Sequence, residues 1–405
     1  VTNDQLKQWT DMIEVKFGLS GYTCFETMTA YEKNDWNETD YRFTTEWLPP
    51  GVHEREEDES NPKGTAVIEL DAKTGRLNSA IFVGGEAPRH GLCFLKGEKE
   101  EVIRFVEQET GWTYGDQFID AKPLGHNFSF QTAYKGIPVS PEGFIHVSLD
   151  EQKKLTFFSK QGPAPGRAEE SGFQLTIDSI ELLAEKRLVF VEYPSKEEEK
   201  WLPFFMIDDV LVDNQTGSAV EERQEILTWK TAKNKKVKRK LIQMAPADIE
   251  PDRLFEFPPH PDTKPITKKG YAKIREASTE FLQTYVPKES GEWSLSNIKR
   301  TNGVIEARLT NIKDVSVVPR IWQLLIDKDT YEIMNYHDRS PMLEQFADYE
   351  QAPKPVLSKK EAFKKIKPFL SVKPVYAYDG NTYRLSGKLD SNAAVHAVTG
   401  EIVHF

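Results

Sequence analysis

The sequence predicts an α+β fold of tandem small units, each a helix packed on an antiparallel sheet. Three observations carry this. Helix-period segments begin near residues 4, 98, 176, 269 and 358, at intervals of roughly 80 to 95 residues. Strand-period segments follow each of them. Each unit closes on a similar hairpin, read along the chain as LDAKTGRL, LDEQKKLT, VDNQTGSA, IDKDTYEI and AVTGEIV. Such intervals are too long for a solenoid of single turns and suit a helix laid on one face of a sheet. The expected units are 1–90, 96–165, 170–250 with a basic hairpin, 266–340 and 354–405.

The elements follow in order. Residues 3–17 carry Leu6, Trp9, Ile13 and Phe17 at helical spacing, with Asn3 or Asp4 as the cap. Strands are expected at 22–31 and 41–48. The acidic stretch 48–64 reads as a solvated loop, in which neighbours such as Glu56 and Glu57 meet nothing that would raise a pKa for acid catalysis. Residues 65–83 form a hairpin: Ile68 and Leu70 alternate with Val67, Glu69 and Asp71, and Gly75 takes the left-handed position of the turn. A second helix, 98–110, has Val102, Phe105 and Val106 as its apolar stripe.

The stretch 126–160 is the most patterned of the chain. It reads as three strands joined by two turns, with Gly136 and Pro138 stopping the first strand. Phe144, His146 and Ser148 point one way, and Ile145, Val147 and Leu149 the other. Pro-rich 161–167 is a linker. A third helix, 176–187, turns Ile177, Ile180, Leu183 and Ala184 inward; strands follow at 188–194 and 201–208. The Pro-rich stretch 255–265 is the expected domain boundary. Helix 269–285, strands at 294–299, 303–311 and 320–326 and a hairpin at 322–336 come next. Ser358 and Glu361 form a capping box opening helix 358–370, and strands at 375–379, 383–387 and 393–405 close the chain.

A chain of 405 residues exceeds one ordinary core. Its net charge of −11 argues against a nucleic-acid backbone or an anionic membrane surface as the main partner. No stretch is long enough to span a bilayer. Cys24 and Cys93 form neither a disulfide framework nor a zinc pattern. They are expected as buried free thiols, with a disulfide between them left open. The chain starts at Val1 without an initiator Met or a signal segment, which points to a mature or trimmed form and leaves a lost targeting segment open.

Candidate chemistry is sparse. Asp71 and Asp213 lie in loops without the alternating oxygen ligands of a calcium site, and turn geometry explains them. The histidines are His53, His90, His126, His146, His260, His337, His396 and His404; none is paired at metal-ligand spacing. His146 and His396 read as hydrogen-bonded strand residues. His90 and Cys93 lack an evident orienting acid, so they make a poor nucleophile and base. No nucleophile elbow, phosphate loop or dinucleotide fingerprint is present. Neither a catalytic residue, a metal ligand nor a cofactor is assigned. The candidate binding residues are Lys235, Lys236, Lys238 and Arg239, within a basic run bordered by Trp229 that suits an acidic polymer. The competing reading is a solvated hairpin, because Val237 and Leu241 lie among the charges. Phe128/Phe130, Phe157/Phe158 and Phe204/Phe205 read as inner sheet faces rather than a peptide or glycan groove.

The helix-then-sheet pattern with its D-x-x-T-G-like hairpin resembles the PepSY superfamily. Tyr134-Lys135-Gly136-Ile137-Pro138-Val139 followed by FIHVSLD is similar to the core of the propeptides of thermolysin-type proteases. Several such units in one chain resemble the YcdB/YcdC repeat proteins of Bacillus-like bacteria. The third unit departs in lacking the Gly-Pro pair, and the fourth has Asp314 to Pro319 in place of the turn. The resemblance implies a secreted or cell-surface protein of a Gram-positive bacterium with no catalytic residues to carry over. The expected function is therefore non-enzymatic binding of a protein or cell-envelope partner, with peptidase inhibition or regulation as its narrower form. The alternatives are a structural surface spacer and, weakest, a hydrolase whose site is assembled from several units.

Overall fold

The computed structural model describes residues 2–53, 60–96, 98–122, 125–163, 166, 168, 172–220, 224–242 and 247–404. Glu56 and Glu57 lie outside them. The chain is mixed α+β and forms two compact bodies. The first holds Val1–Glu170, Ala245–Thr263 and Val375–Arg384; the second holds Ser171–Met244, Lys264–Pro374 and Leu385–Phe405. One crossing between them, at Thr263–Lys264, falls inside the Pro-rich stretch.

The first body begins with α1 (Thr2–Phe17), then β1 (Thr23–Lys33), β2 (Thr39–Leu48), β3 (Ala66–Asp71) and β4 (Leu77–Phe82). After α2 (Lys99–Thr110) come β5 (Phe118–Asp120), β6 (Phe128–Tyr134), β7 (Ile137–Ser140), β8 (Phe144–Leu149) and β9 (Leu155–Gln161). The strands pair in the order β7-β6-β8-β9-β4-β3-β2-β1, with β5 also on β6. Ile13 and Phe17 of α1 and Val102 and Val106 of α2 are buried with Phe43, Ile68, Phe130, Ile145 and Phe158. The alternations in the sequence thus select the inner face. The sheet does not stop where the first sequence unit ends. Ser79 of β4 pairs with Ser159 of β9, which removes an open edge from each unit.

The stretch 126–160 holds four strands, not three. Lys135 (φ +49) and Gly136 (φ +76) both take left-handed angles, as a two-residue hairpin turn requires. Ile137–Ser140 therefore continues as a strand, with Pro138 opposite Ala133. Cys24 and Cys93 are free thiols, half-buried and exposed respectively, rather than buried. Cys24 lies on β1, and Cys93 bridges Lys154 with its neighbour Phe94 turned into the core instead.

The second body opens with a 3₁₀ turn, Asp178–Ile180, before α3 (Glu181–Arg187). The helix is shorter than the periodicity suggests because Thr176 and Ser179 bond reciprocally, Thr176 N to Ser179 Oγ at 2.9 Å and Ser179 N to Thr176 Oγ1 at 3.2 Å, tightening the entry. Then come β10 (Leu188–Ser195), β11 (Lys200–Ile207), β12 (Val210–Asp213) and β13 (Glu225–Leu227). The chain next supplies β14 (Ala247–Asp248) and α4 (Pro251–Leu254) to the first body. There Leu254 and Ile249 pack on Tyr41, and Tyr41 Oη donates to Pro258 O at 2.7 Å.

Returning to the second body, α5 (Lys268–Tyr285) is capped by Thr267, whose side chain accepts from Gly270 N. It lies on β15 (Trp293–Thr301), β16 (Val304–Asn311), β17 (Ile321–Asp327) and β18 (Ile333–Asp338), burying Ile274, Phe281 and Leu282 against Trp293, Leu309 and Leu324. β13 joins this sheet beside β15. A short α6 (Pro341–Glu344) precedes α7 (Lys359–Ile366), whose Ser358–Glu361 capping box is formed as expected. The chain closes with β19 (Leu370–Tyr378), β20 (Tyr383–Ser391), β21 (Ala393–His396) and β22 (Ile402–His404). β11 pairs with β21 and β12 with β20, so the third and fifth sequence units also share strands. No helix among the described residues is long and apolar enough to cross a membrane.

Four of the closing hairpins carry one hydrogen-bond pattern. Asp71 Oδ1 accepts from Lys73 N and Thr74 N, Asp213 Oδ1 from Gln215 N and Thr216 N, and Asp327 Oδ1 from Asp329 N and Thr330 N. In the last hairpin His396 Nδ1 accepts from Val398 N and Thr399 N at 3.3 and 3.2 Å. The residue four positions on returns its N–H to the first residue's carbonyl in every case: Gly75, Gly217, Tyr331 and Gly400. Tyr331 holds a φ of +66° where the other three have glycine.

Candidate functional site

The basic run is not a hairpin. Residues 232–242 have no regular secondary structure, and the end of α5 takes three of their backbone N–H groups. Lys233 N donates to Gln283 O at 3.2 Å, Lys235 N to Thr284 Oγ1 at 3.4 Å and Val237 N to Tyr285 Oη at 3.2 Å. Further on, Lys240 N donates to Met334 O and Asn335 Nδ2 to Lys240 O, tying the segment to β18. Val237 and Trp229 pack onto the core under α5. The two apolar positions of the run thus divide: Val237 anchors, while Leu241 stays exposed.

Between this segment, α5 and the turn before β18 runs a groove of about 600 Å³. Lys235, Lys236, Lys238, Lys240 and Lys273 line it, opposed by Glu276, Glu280 and Glu332. Five lysines against three glutamates leave the lining net positive, on a chain of net charge −11. Glu280 is already engaged by Lys233, with Lys235 Nζ 4.0 Å away. Lys236 and Lys238 have no ion-pair partner among the described residues. Val237, Ala277, Phe281 and Ile333 supply apolar lining.

Three of the four residues singled out from sequence therefore meet in one groove. The fourth, Arg239, lies elsewhere: its guanidinium sits over the Tyr336 ring, 4.0 Å from the centroid. Burial raises the Tyr285 phenol, and its hydrogen bond with Tyr336 adds to this. Burial acts on Tyr336 in the same direction, but hydrogen bonds to Tyr285 and Arg239 and the Arg239 charge bring it below its usual value. Arg239 is a packing and charge partner of this tyrosine pair.

No family model matches the chain, and no curated protein matches it. Among solved structures it is similar to one titled Bacillus megaterium YpeB C-terminal domain, at 8% identity and a TM-score of 0.27, over 84% of this chain and 97% of that one. At that level the likeness assigns no function to this chain.

Two clusters in the first body escaped the sequence reading. His126, just before β6, and His146 on β8 stack with centroids 4.6 Å apart, flanked by Phe157 at 4.8 Å and Phe144 at 5.8 Å. Ser148 Oγ and Ser129 Oγ hold their Nδ1 atoms at 3.0 and 3.1 Å. Burial, then the neighbouring His126, depresses the His146 pKa. Phe157 thus belongs to an outer ladder, whereas Phe158 and Phe130 are core; Phe204 and Phe205 are both buried. The second cluster gathers Asp40, Arg42, Glu69 and Lys160. Arg42 bridges Glu32 and Glu69, and Asn34 Nδ2 donates to Asp40 Oδ1 at 2.9 Å. Burial raises both the Asp40 and Glu69 pKa values against the pull of these partners. Burial also depresses Lys160, whose ammonium lies 5.1 Å from the Trp112 ring centroid.

Among the described residues no three His, Cys, Asp or Glu side chains gather as metal ligands would. Cys93 Sγ lies 3.6 Å from Gln152 O, and Asp71 and Asp213 spend their carboxylates on turn N–H groups.

Proposed function

We propose that this chain is a non-enzymatic binding protein of tandem PepSY-like helix-on-sheet units, of the YcdB/YcdC repeat kind. It acts outside the cytoplasm, secreted or at the surface of a Gram-positive cell, and engages a protein or cell-envelope partner through the basic groove of its second body. The groove is the observation that carries this reading. Lysines that would repel one another are held side by side by a backbone anchored to α5, and an anionic partner would relieve that repulsion. The four hairpins with one hydrogen-bond pattern support the repeat, since a shared local network at matching positions is what duplicated units would retain.

The test uses an immobilised polyglutamate support. An acidic protein is repelled by such a support unless a local cationic site holds it. The intact chain should be retained at low salt and released as salt rises, whereas the Lys235→Ala/Lys236→Ala/Lys238→Ala variant should pass through. Equal elution of the two sinks the proposal. A peptidase partner adds its own requirement: the protein must inhibit or form a complex with a secreted metalloprotease.

A further inference from the structure

Resting on that reading of the groove, we propose that its occupant is an extended peptide segment carrying acidic side chains spaced among apolar ones, rather than a phosphate polymer. Three features of the lining point to this chemistry. The first is charge pattern. Glu276, Glu280 and Glu332 stand among the lysines, so an anion with charge on every repeat would be driven against carboxylates as well as toward ammonium groups. A ligand with discrete carboxylates can place them at the lysines and keep neutral groups at the glutamates.

The second feature is the apolar lining. Val237, Ala277 and Ile333, each only half-buried, line the groove together, and a polyphosphate offers nothing to cover them. Aliphatic side chains would gain burial there. The third is the backbone. The N–H groups of Lys233, Lys235 and Val237 are taken by α5, while those of Lys236 and Lys238 donate to no described residue. A peptide backbone supplies carbonyl acceptors for such donors.

The experiment titrates the full chain with three probes: a blocked octapeptide alternating Glu and Leu, the same peptide with Gln for Glu, and inorganic polyphosphate of matched charge. Binding is read by fluorescence anisotropy, and methyl spectra follow Ala277, Val237 and Ile333. The Glu/Leu peptide should bind at least tenfold tighter than the Gln/Leu peptide and than polyphosphate. It should shift those methyl signals, and it should lose at least tenfold in affinity in the Lys236→Ala/Lys238→Ala variant. Both substitutions are at exposed positions, so folding is preserved. Polyphosphate binding as tightly, with loss in the same variant, overturns the peptide inference while leaving the basic groove as a binding site. Binding of no probe overturns both. Peptide binding that leaves the three methyl groups unmoved places it outside the groove and overturns the inference as well.

Discussion

His396 stands where three other hairpins have aspartate, and replacing it tests whether the repeated turn is one physical device. Its Nδ1 accepts two backbone N–H groups, and its ring meets Phe204 edge-on with centroids 5.3 Å apart. His396→Ala removes both. A turn hydrogen bond contributes about 0.5–1.5 kcal/mol net, and the bonds here are long and partly open to water. The edge-on ring pair contributes about 0.5–1.5 kcal/mol. With both bonds at the low end, a total loss of about 1.5–2.5 kcal/mol is expected. His396→Asp loses the ring contact but supplies a carboxylate of the Asp71 and Asp213 kind, and charge-assisted bonds are the stronger ones. The aspartate variant should therefore exceed the alanine variant by about 1 kcal/mol. Urea unfolding gives the ranking, and amide exchange across 396–404 gives a local reading that two compact bodies do not blur. If the two variants are equally stable and exchange alike, acceptance at this position contributes nothing and the equivalence of the four turns is wrong.

Asp327 has its pKa lowered chiefly by hydrogen bonds from the Thr330 and Asp329 N–H groups. A depressed folded value means its contribution is complete above the unfolded pKa of about 3.9 and fades as pH falls through the folded one. Asp327→Asn should flatten the acid limb of a stability–pH curve below about pH 4, and an unchanged limb would refute this. Lys160 carries the opposite sign. Its folded pKa is depressed by burial, so the folded state binds fewer protons and stability rises with pH up to the unfolded value of about 10.4. Lys160→Met should remove that rise and leave stability at neutral pH equal or higher, whereas Lys160→Ala should lose about 1 kcal/mol through the bare Trp112 face; denaturant midpoints across pH decide. Gly75 has a φ of +67°, and a Cβ there would meet Trp9 Nε1 at 2.9 Å. Gly75→Ala should cost about 1–2 kcal/mol, read as a lowered melting temperature, and an unshifted transition would contradict it.

Much of the fold is legible because its signals are local. Leu6, Trp9, Ile13 and Phe17 mark α1, Ser358 and Glu361 mark the start of α7, and the Asp-to-Thr spacing marks the turns. The misreadings come from partners distant in sequence. The basic run reads as a hairpin because Val237 and Leu241 lie among its charges, but its hydrogen-bond partners, Gln283 to Tyr285, are about 50 residues away. Its other groove wall, Lys273, Glu276 and Ala277, reads in sequence as ordinary helix surface. The pairing of β4 with β9 and of β11 with β21 leaves no trace in either member alone. Two further features are local enough to be legible: Lys135-Gly136 is a turn signal that permits a strand after it, and His396 lies at the aspartate position of HAVTGE.

The most direct test of the groove as a binding site is co-sedimentation of the full chain with purified Gram-positive cell envelopes, beside the Lys235→Ala/Lys236→Ala/Lys238→Ala variant. The intact protein should pellet with the envelopes at low salt and be released as ionic strength rises, while the variant stays in the supernatant throughout. Equal sedimentation of the two proteins, or none by the intact chain, would contradict the assignment.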